Sequence, residues 1–292
     1  MDVVTRALLI LVSVAALLQP QPNAGYARQS DVIYSRRSDL ALTMEVLIPP
    51  RPNRVGVVWV VSSSGRSSPE QTFQPTFERR VSPFLSQGYT VFAVMHSVAP
   101  KFQVPDYEND VRRAVRFVRH DAARFGIDPG RLGIVGSSSG GLIALLVALR
   151  GQDGNPDSAD SVERVSGRVQ VAGAFFSPTD LTNFGDASEN ILDVMRQRTG
   201  KIDPSFPSEN LADISPVTHV TRDDPPILLI HGNQDKAIPI QQSRRLMERL
   251  QAARVPARFV EREGKAHAWD GWESDSALVA DWFTAHLRPQ VR

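Results

Sequence analysis

The stretch RLGIVGSSSGGLIALLVAL, residues 131–149, decides how this chain is read. Its first five residues form a short apolar run, as in a buried strand, and its last nine form an apolar run of helical length. Between them, Gly136-Ser137-Ser138-Ser139-Gly140 fits G-x-S-x-G. A strand, this pentapeptide and a helix, in that order, make a sharp turn that lifts the middle serine out of the sheet. Glycine suits the flanking positions because a Cβ there would collide with the turn. Ser138 is therefore the candidate nucleophile. Ser137 and Ser139 carry the same hydroxyl but do not sit at the middle of the turn.

A serine hydroxyl is protonated at neutral pH and needs a base, and the base needs a third group to hold its tautomer. The base is expected on a loop after a late strand. His267, in Gly264-Lys-Ala-His267, meets that condition. His96 precedes the nucleophile, His120 lies late on a helix, and His219 sits in an irregular segment. His231 ends a strand in a structural position, and His286 belongs to the last helix. The acid is expected at a strand end between serine and histidine. Asp235, in His231-Gly-Asn-Gln-Asp235, is the first candidate, with Asp180 and Asp270 as rivals.

Outward from this centre, strands and helices alternate. Residues 31–35 and 40–48 alternate apolar and polar, as two antiparallel strands do. Residues 55–61 and 89–94 are continuous apolar runs, suited to strands buried on both faces. Helices are expected over 76–87 and along the stripe Val111, Ala114, Val115, Val118, Ala122, Phe125, which Gly126 closes. Arg112, Arg113, Arg116 and Arg119 then fall on that helix's polar, solvated side. Residues 151–167 read as a surface loop and 169–176 as a strand. Strands at 225–230 and 257–261 and helices at 241–252 and 276–287 follow. The result is one domain with a mostly parallel, doubly wound sheet. Residues 180–223 interrupt the rhythm. Two readings stand: a small lid or cap over the site, or a long connection with a helix over 187–198.

With 41% hydrophobic residues, the 292-residue chain can bury a sizeable core. A net charge of +1 argues against nucleic acid as the main partner. The absence of cysteine rules out disulfides, thiolate metal sites and cysteine nucleophiles. The six histidines show no H-E-x-x-H spacing, so no metal is expected. At the N-terminus, Arg6 precedes an apolar run over 7–18, and Gly25 and Ala27 supply small residues two apart. This predicts a leader cleaved after Ala27 and an exported chain of 28–292. An uncleaved membrane anchor is the alternative, although the run is shorter than the roughly 20 residues of a spanning helix.

The order Ser138, Asp235, His267 and the motifs around it resemble the esterase and lipase branch of the α/β-hydrolases. The resemblance rests on Gly126-Ile-Asp-Pro-Gly-Arg131 and Gly136-x-Ser138-x-Gly140-Gly141. It rests also on Ser215-Pro-Val-Thr-His219, Asp223-Asp-Pro-Pro-Ile-Leu-Leu-Ile-His-Gly232, Asp235-x-x-x-Pro239 and Gly264-x-x-His267. It covers about residues 31–287 and is similar to the hormone-sensitive-lipase-like and feruloyl-esterase-like branches. It implies the α/β-hydrolase fold, hydrolysis of carboxylic esters, small-molecule or polymer-linked, and no cofactor. Those branches carry His-Gly-Gly-Gly after the third strand, whereas this chain has Ser62-Ser63-Ser64-Gly65. Backbone N–H groups survive the change. Ser139 N–H is the expected first oxyanion donor, with Ser63, Ser64 or Gly65 supplying the second. Trp269 and Trp272 follow His267 closely and either line the substrate pocket or pack at the domain edge. Two other functions share this pattern: a prolyl-oligopeptidase-like peptidase, and a hydrolase fold kept for binding.

Overall fold

The computed structural model of the chain describes residues 25–37, 40–185 and 189–287. The expected leader run, 7–18, lies outside the described residues. The elements run β1 (Ala27–Arg37), β2 (Leu40–Ile48), β3 (Gly56–Val60), α1 (Pro75–Ser86), β4 (Thr90–Val94), α2 (Val104–His120), β5 (Leu132–Ser137) and α3 (Ser139–Leu149). Then come β6 (Val171–Phe175), α4 (Ile191–Thr199), β7 (Ile227–Gly232), α5 (Gln241–Ala252), β8 (Ala257–Arg262) and α6 (Ser276–His286).

The eight strands form one sheet in the order β1-β2-β4-β3-β5-β6-β7-β8. The first two pairings, β1 with β2 and β2 with β4, are antiparallel. Every later pairing is parallel. The two-residue period of each strand separates two cores. Val58 and Val60 of β3 face the layer built on α2, α3 and α5. Val57 and Trp59 face the opposite layer, where α1 and α6 supply Phe77, Phe84 and Phe283. Both faces are therefore covered, and the central strands are fully buried. Trp59 anchors the second layer, with its ring edge-on to Phe77 and Phe84 at 6.1 Å and stacked on Phe175 at 6.4 Å.

Several elements differ from the sequence expectation. β1 is longer than 31–35 because its register with β2 shifts twice, between Gln29 and Val32 and between Ile33 and Ser35. Those shifts break the alternation, so periodicity marks only its middle. α2 starts at Val104 and stops at His120, and Ala122 and Phe125 stay buried in the turn beyond it. The helix expected over 187–198 is α4, which starts after Asn190, whose side chain caps Asp193 N–H at 3.0 Å. Residues 186–188 lie outside the described residues.

The arginines of α2 are corrected more sharply. Arg112 and Arg116 are buried, not solvated. Arg112 pairs with Glu108 one turn earlier on the helix. Arg113 binds Asp160 at 2.8 Å and Glu163 at 2.9 Å, and Arg116 binds Glu163 and Val165 O. Arg119 donates to Pro129 O, Ser166 O and Arg168 O. Arg113, Arg116 and Arg119 thus satisfy acidic side chains and carbonyls of the 151–167 loop, which secondary structure leaves without partners.

Replacing Trp59 by alanine should remove about 3–5 kcal/mol of unfolding free energy. Ile202→Ser, on an exposed side chain, should change it by less than about 0.5 kcal/mol. Urea denaturation of both variants checks the contrast.

Candidate active site

The turn between β5 and α3 leaves no room for side chains. A Cβ on Gly136 would lie 2.3 Å from Gly140 O, and one on Gly140 would lie 2.8 Å from Val60 O. Ser138, between them, takes φ 53° and ψ −123°, a conformation that costs a non-glycine residue energy. The surroundings hold it there. Its N–H donates to Phe175 O at 2.9 Å, and its carbonyl accepts from Gly141 and Leu142 N–H.

The loops after β7 and β8 bring the other two groups to the same end of the sheet. This is the carboxyl end of the parallel strands, where ligands bind in open α/β sheets. Ser138 Oγ lies 3.2 Å from His267 Nε2, and His267 Nδ1 lies 2.7 Å from Asp235 Oδ2. The carboxylate contact assigns the imidazole proton to Nδ1 and leaves Nε2 as acceptor for the serine hydroxyl. Phe176 packs edge-on to the His267 ring at 4.7 Å.

Asp235 is held from four directions. Its Oδ1 accepts from Ala237 and Ile238 N–H, both at 2.9 Å. Its Oδ2 also faces His231 Nε2, at 3.2 Å. Burial works to raise the carboxyl, but hydrogen bonds from His231, His267 and the backbone outweigh it and hold the group well below the usual range. His231 is the residue that sequence reasoning treated as merely structural. It is fully buried, with Nδ1 against Ser243 Oγ at 2.8 Å and Nε2 also near Ile238 O. The four-residue spacing in His231-Gly-Asn-Gln-Asp235 was the available signal.

The remaining candidates lie elsewhere. Asp180 accepts from Thr182 and Asn183, and Asp270 is exposed. His96 is buried against Tyr107, and burial pushes its imidazole down to about 4. His120 meets Asp121, His219 meets Asp213 O, and His286 meets Trp282. Among the described residues no cluster of three or more metal-ligating side chains occurs.

The loop after β3 borders the site. Ser63 N–H donates to Arg66 O at 2.9 Å and is thereby occupied, which removes Ser63 from the donor candidates. Gly65 N–H points at Ser139 Oγ at 3.4 Å, and Ser62 Oγ meets the same hydroxyl at 3.1 Å. Among the described residues no acceptor meets Ser64 N–H or Ser139 N–H.

Two cavities meet at Ser138 and His267. One, of about 260 Å³, is mainly apolar and is walled by Val104, Leu142, Phe184, Ile191, Met195 and Phe206. Four of these come from the irregular 180–223 segment and α4 within it, so that segment forms one side of the site. The other cavity, of about 320 Å³, is bordered by Ser62, Ser64, Gln71, Gln74, Arg80 and Trp272. Trp272 therefore borders the site, whereas Trp269 packs on the edge of Phe176 and lines neither cavity.

A mostly parallel eight-stranded sheet, a strained serine at the β5–α3 turn and this chain order define the α/β-hydrolase class. The family model described as BD-FAE matches residues 44–250, and the chain belongs to that family. It is 29% identical over 269 residues to a probable carboxylic ester hydrolase of Mycobacterium tuberculosis, LipM, covering 90% of this chain and 59% of that protein. It is 32% identical over 200 residues to esterase LipC of the same organism, covering 65% of this chain and 47% of that protein. The chain thus spans about half the length of these relatives. Among solved structures, a truncated carbohydrate esterase from gut microbiota superposes with a TM-score of 0.74 at 23% identity, covering 91% of this chain and 98% of that one. An acetyl ester-xyloside bifunctional hydrolase from Caldicellulosiruptor lactoaceticus gives 0.73 at 19%, covering 93% and 98%. These two likenesses speak to the fold.

The Asp235 value makes a stability prediction. A carboxyl depressed in the folded state stabilises the fold above its unfolded value, near 3.9, and that contribution disappears as pH falls through the folded value. The stability difference between wild type and Asp235→Asn should therefore shrink as pH falls from 6 to 2. Urea denaturation across that range measures it, and a constant difference would contradict the depressed value.

Proposed function

We propose that this protein is a serine carboxylic ester hydrolase working through an acyl-enzyme. The observation that carries this reading is the continuous hydrogen-bond chain Ser138–His267–Asp235 at the meeting point of two cavities. The ester hydrolase names of LipM and LipC support it.

In the proposed reaction, Ser138 Oγ attacks the ester carbonyl as His267 Nε2 takes its proton. Asp235, already anionic, stabilises the imidazolium and keeps the ring aimed. The oxyanion is received by Ser139 N–H, at the start of α3, and by Ser64 N–H. Losing one such donor typically costs about 10²–10³ in rate. His267 then gives its proton to the departing alcohol, leaving the acyl group on Ser138. Water, deprotonated by His267, hydrolyses this ester, and Ser138 recovers its proton. The apolar cavity takes the acyl half and the polar cavity the alcohol half. A polar alcohol cavity suits carbohydrate-linked esters, the class named for the gut-microbiota esterase.

Export is part of the proposal and rests on the apolar run at 7–18 and the small residues Gly25 and Ala27. N-terminal sequencing of the mature protein tests it, with a first residue near Arg28 expected.

A p-nitrophenyl ester series from acetate to palmitate tests the chemistry. At about 260 Å³, the apolar cavity falls below the roughly 300–1,000 Å³ of drug-sized sites. The optimum should accordingly lie at a short acyl chain, with palmitate poor. Ser138→Ala should lower kcat by on the order of 10⁴ or more. Equal turnover by wild type and variant would reject Ser138 as nucleophile.

A further inference from the structure

One charged group in the polar cavity is not used by the proposed chemistry. Arg80, on α1, borders that cavity together with Ser138 and His267. Its guanidinium lies over the Trp272 ring, with Cζ 4.6 Å from the ring centroid. Its Nε is buried and has no hydrogen-bond partner. Among the described residues it forms no ion pair. Glu273, bound by Arg79 at 3.5 Å, acts on Arg80 only through space. Burial lowers the Arg80 guanidinium from its ordinary value, and Glu273 offsets this in part. An arginine remains charged under such a shift, so the cavity wall holds a half-buried cation whose donors have no protein partner. Its other polar residues, Ser62, Ser64, Gln71, Gln74 and Thr76, carry no charge to answer it.

A half-buried charge without a hydrogen-bond partner carries a desolvation cost, and a planar guanidinium fits a carboxylate through two parallel hydrogen bonds. The contact with the Trp272 ring holds the Arg80 head at the cavity wall, which reduces the ordering needed on binding.

We propose that this cavity is a subsite for a carboxylate on the alcohol half of the ester, with Arg80 as the group that recognises it. The preferred substrate is then an acyl ester of a hydroxy acid, either a carboxylated phenol or a uronic-acid sugar. The inference rests on the ester hydrolase reading and on assigning the apolar cavity to the acyl group.

Matched esters test it. The first pair is 4-carboxyphenyl butanoate against its neutral isostere 4-carbamoylphenyl butanoate. The second is acetylated methyl glucuronate against acetylated methyl glucoside. Each kcat/KM is divided by the hydroxide-catalysed rate of the same ester. The wild type should prefer the carboxylate in at least one pair by about tenfold or more, the scale of one charge-assisted interaction. Preference in the first pair alone assigns a phenolic acid, and in the second alone a uronic acid. Arg80→Gln should bring the ratio near one, and Arg80→Lys should leave an intermediate ratio because it keeps charge without the fork. If Arg80→Gln does not fold, product inhibition of the wild type serves instead, with 4-hydroxybenzoate expected to inhibit more tightly than 4-hydroxybenzamide.

Equal corrected rates within both pairs, with clear turnover, would overturn this proposal and leave the ester hydrolase reading intact. So would a preference for a carboxylate on the acyl side, read from 4-nitrophenyl hemisuccinate against 4-nitrophenyl butanoate. No turnover of any ester would overturn both.

Discussion

The close approach of two backbone segments governs this molecule. The end of β5 and the start of α3 come so near that a Cβ on Gly136 would meet main-chain atoms of Gly140, and α3 lies so close to β3 that one on Gly140 would meet Val60 O. That contact forces the chain to reverse within one residue, and Ser138 takes up the strain. Its hydroxyl is thereby presented at the carboxyl end of the sheet. The loops after β7 and β8 then need only reach that point, and their parallel register carries them there. The two core layers hold the turn in place from both sides.

Around this turn, polar contacts do different work on either side of His267. Towards the interior, Asp235 collects four hydrogen bonds and stays anionic despite burial. His231 is one of those donors, and Ser243 Oγ fixes its ring in turn. Towards the cavity, the serines of the loop after β3 brace the site. Ser62 ties its hydroxyl to Ser139, which couples the loop after β3 to the first turn of α3. The loop is thus braced by side chains.

Much of this was legible in the sequence because it depends on local rules. Continuous apolar runs such as 55–61 mark strands covered on both faces, and the glycine-flanked serine marks the turn. Asp235 and His267 were legible because each lies a few residues beyond a recognisable strand. What escaped depends on contacts between distant segments. Arg112 and Arg116 look like a solvated face until the 151–167 loop folds over them. The part of 180–223 that walls the apolar cavity has no periodicity, since its apolar residues come from loops as well as from α4. Arg80 reads as an ordinary exposed helix residue, and only the ring of Trp272 beneath it, 192 positions away, reveals otherwise. The occupied N–H of Ser63 is a matter of turn geometry, which composition does not encode.

The irregular pairing of β1 has a consequence for how the molecule behaves among its own copies. An open sheet ends in two rows of unpaired N–H and C=O groups, and a flat row of that kind recruits further strands. Here one border is broken by two register shifts and by Asp31 at φ 55°, and it carries Arg28, Arg36 and Arg37. The opposite border, β8, carries Arg258, Glu261 and Arg262. A neighbouring chain that approaches either border meets charge or a kinked template. Both borders of the sheet are therefore poor templates for a further strand.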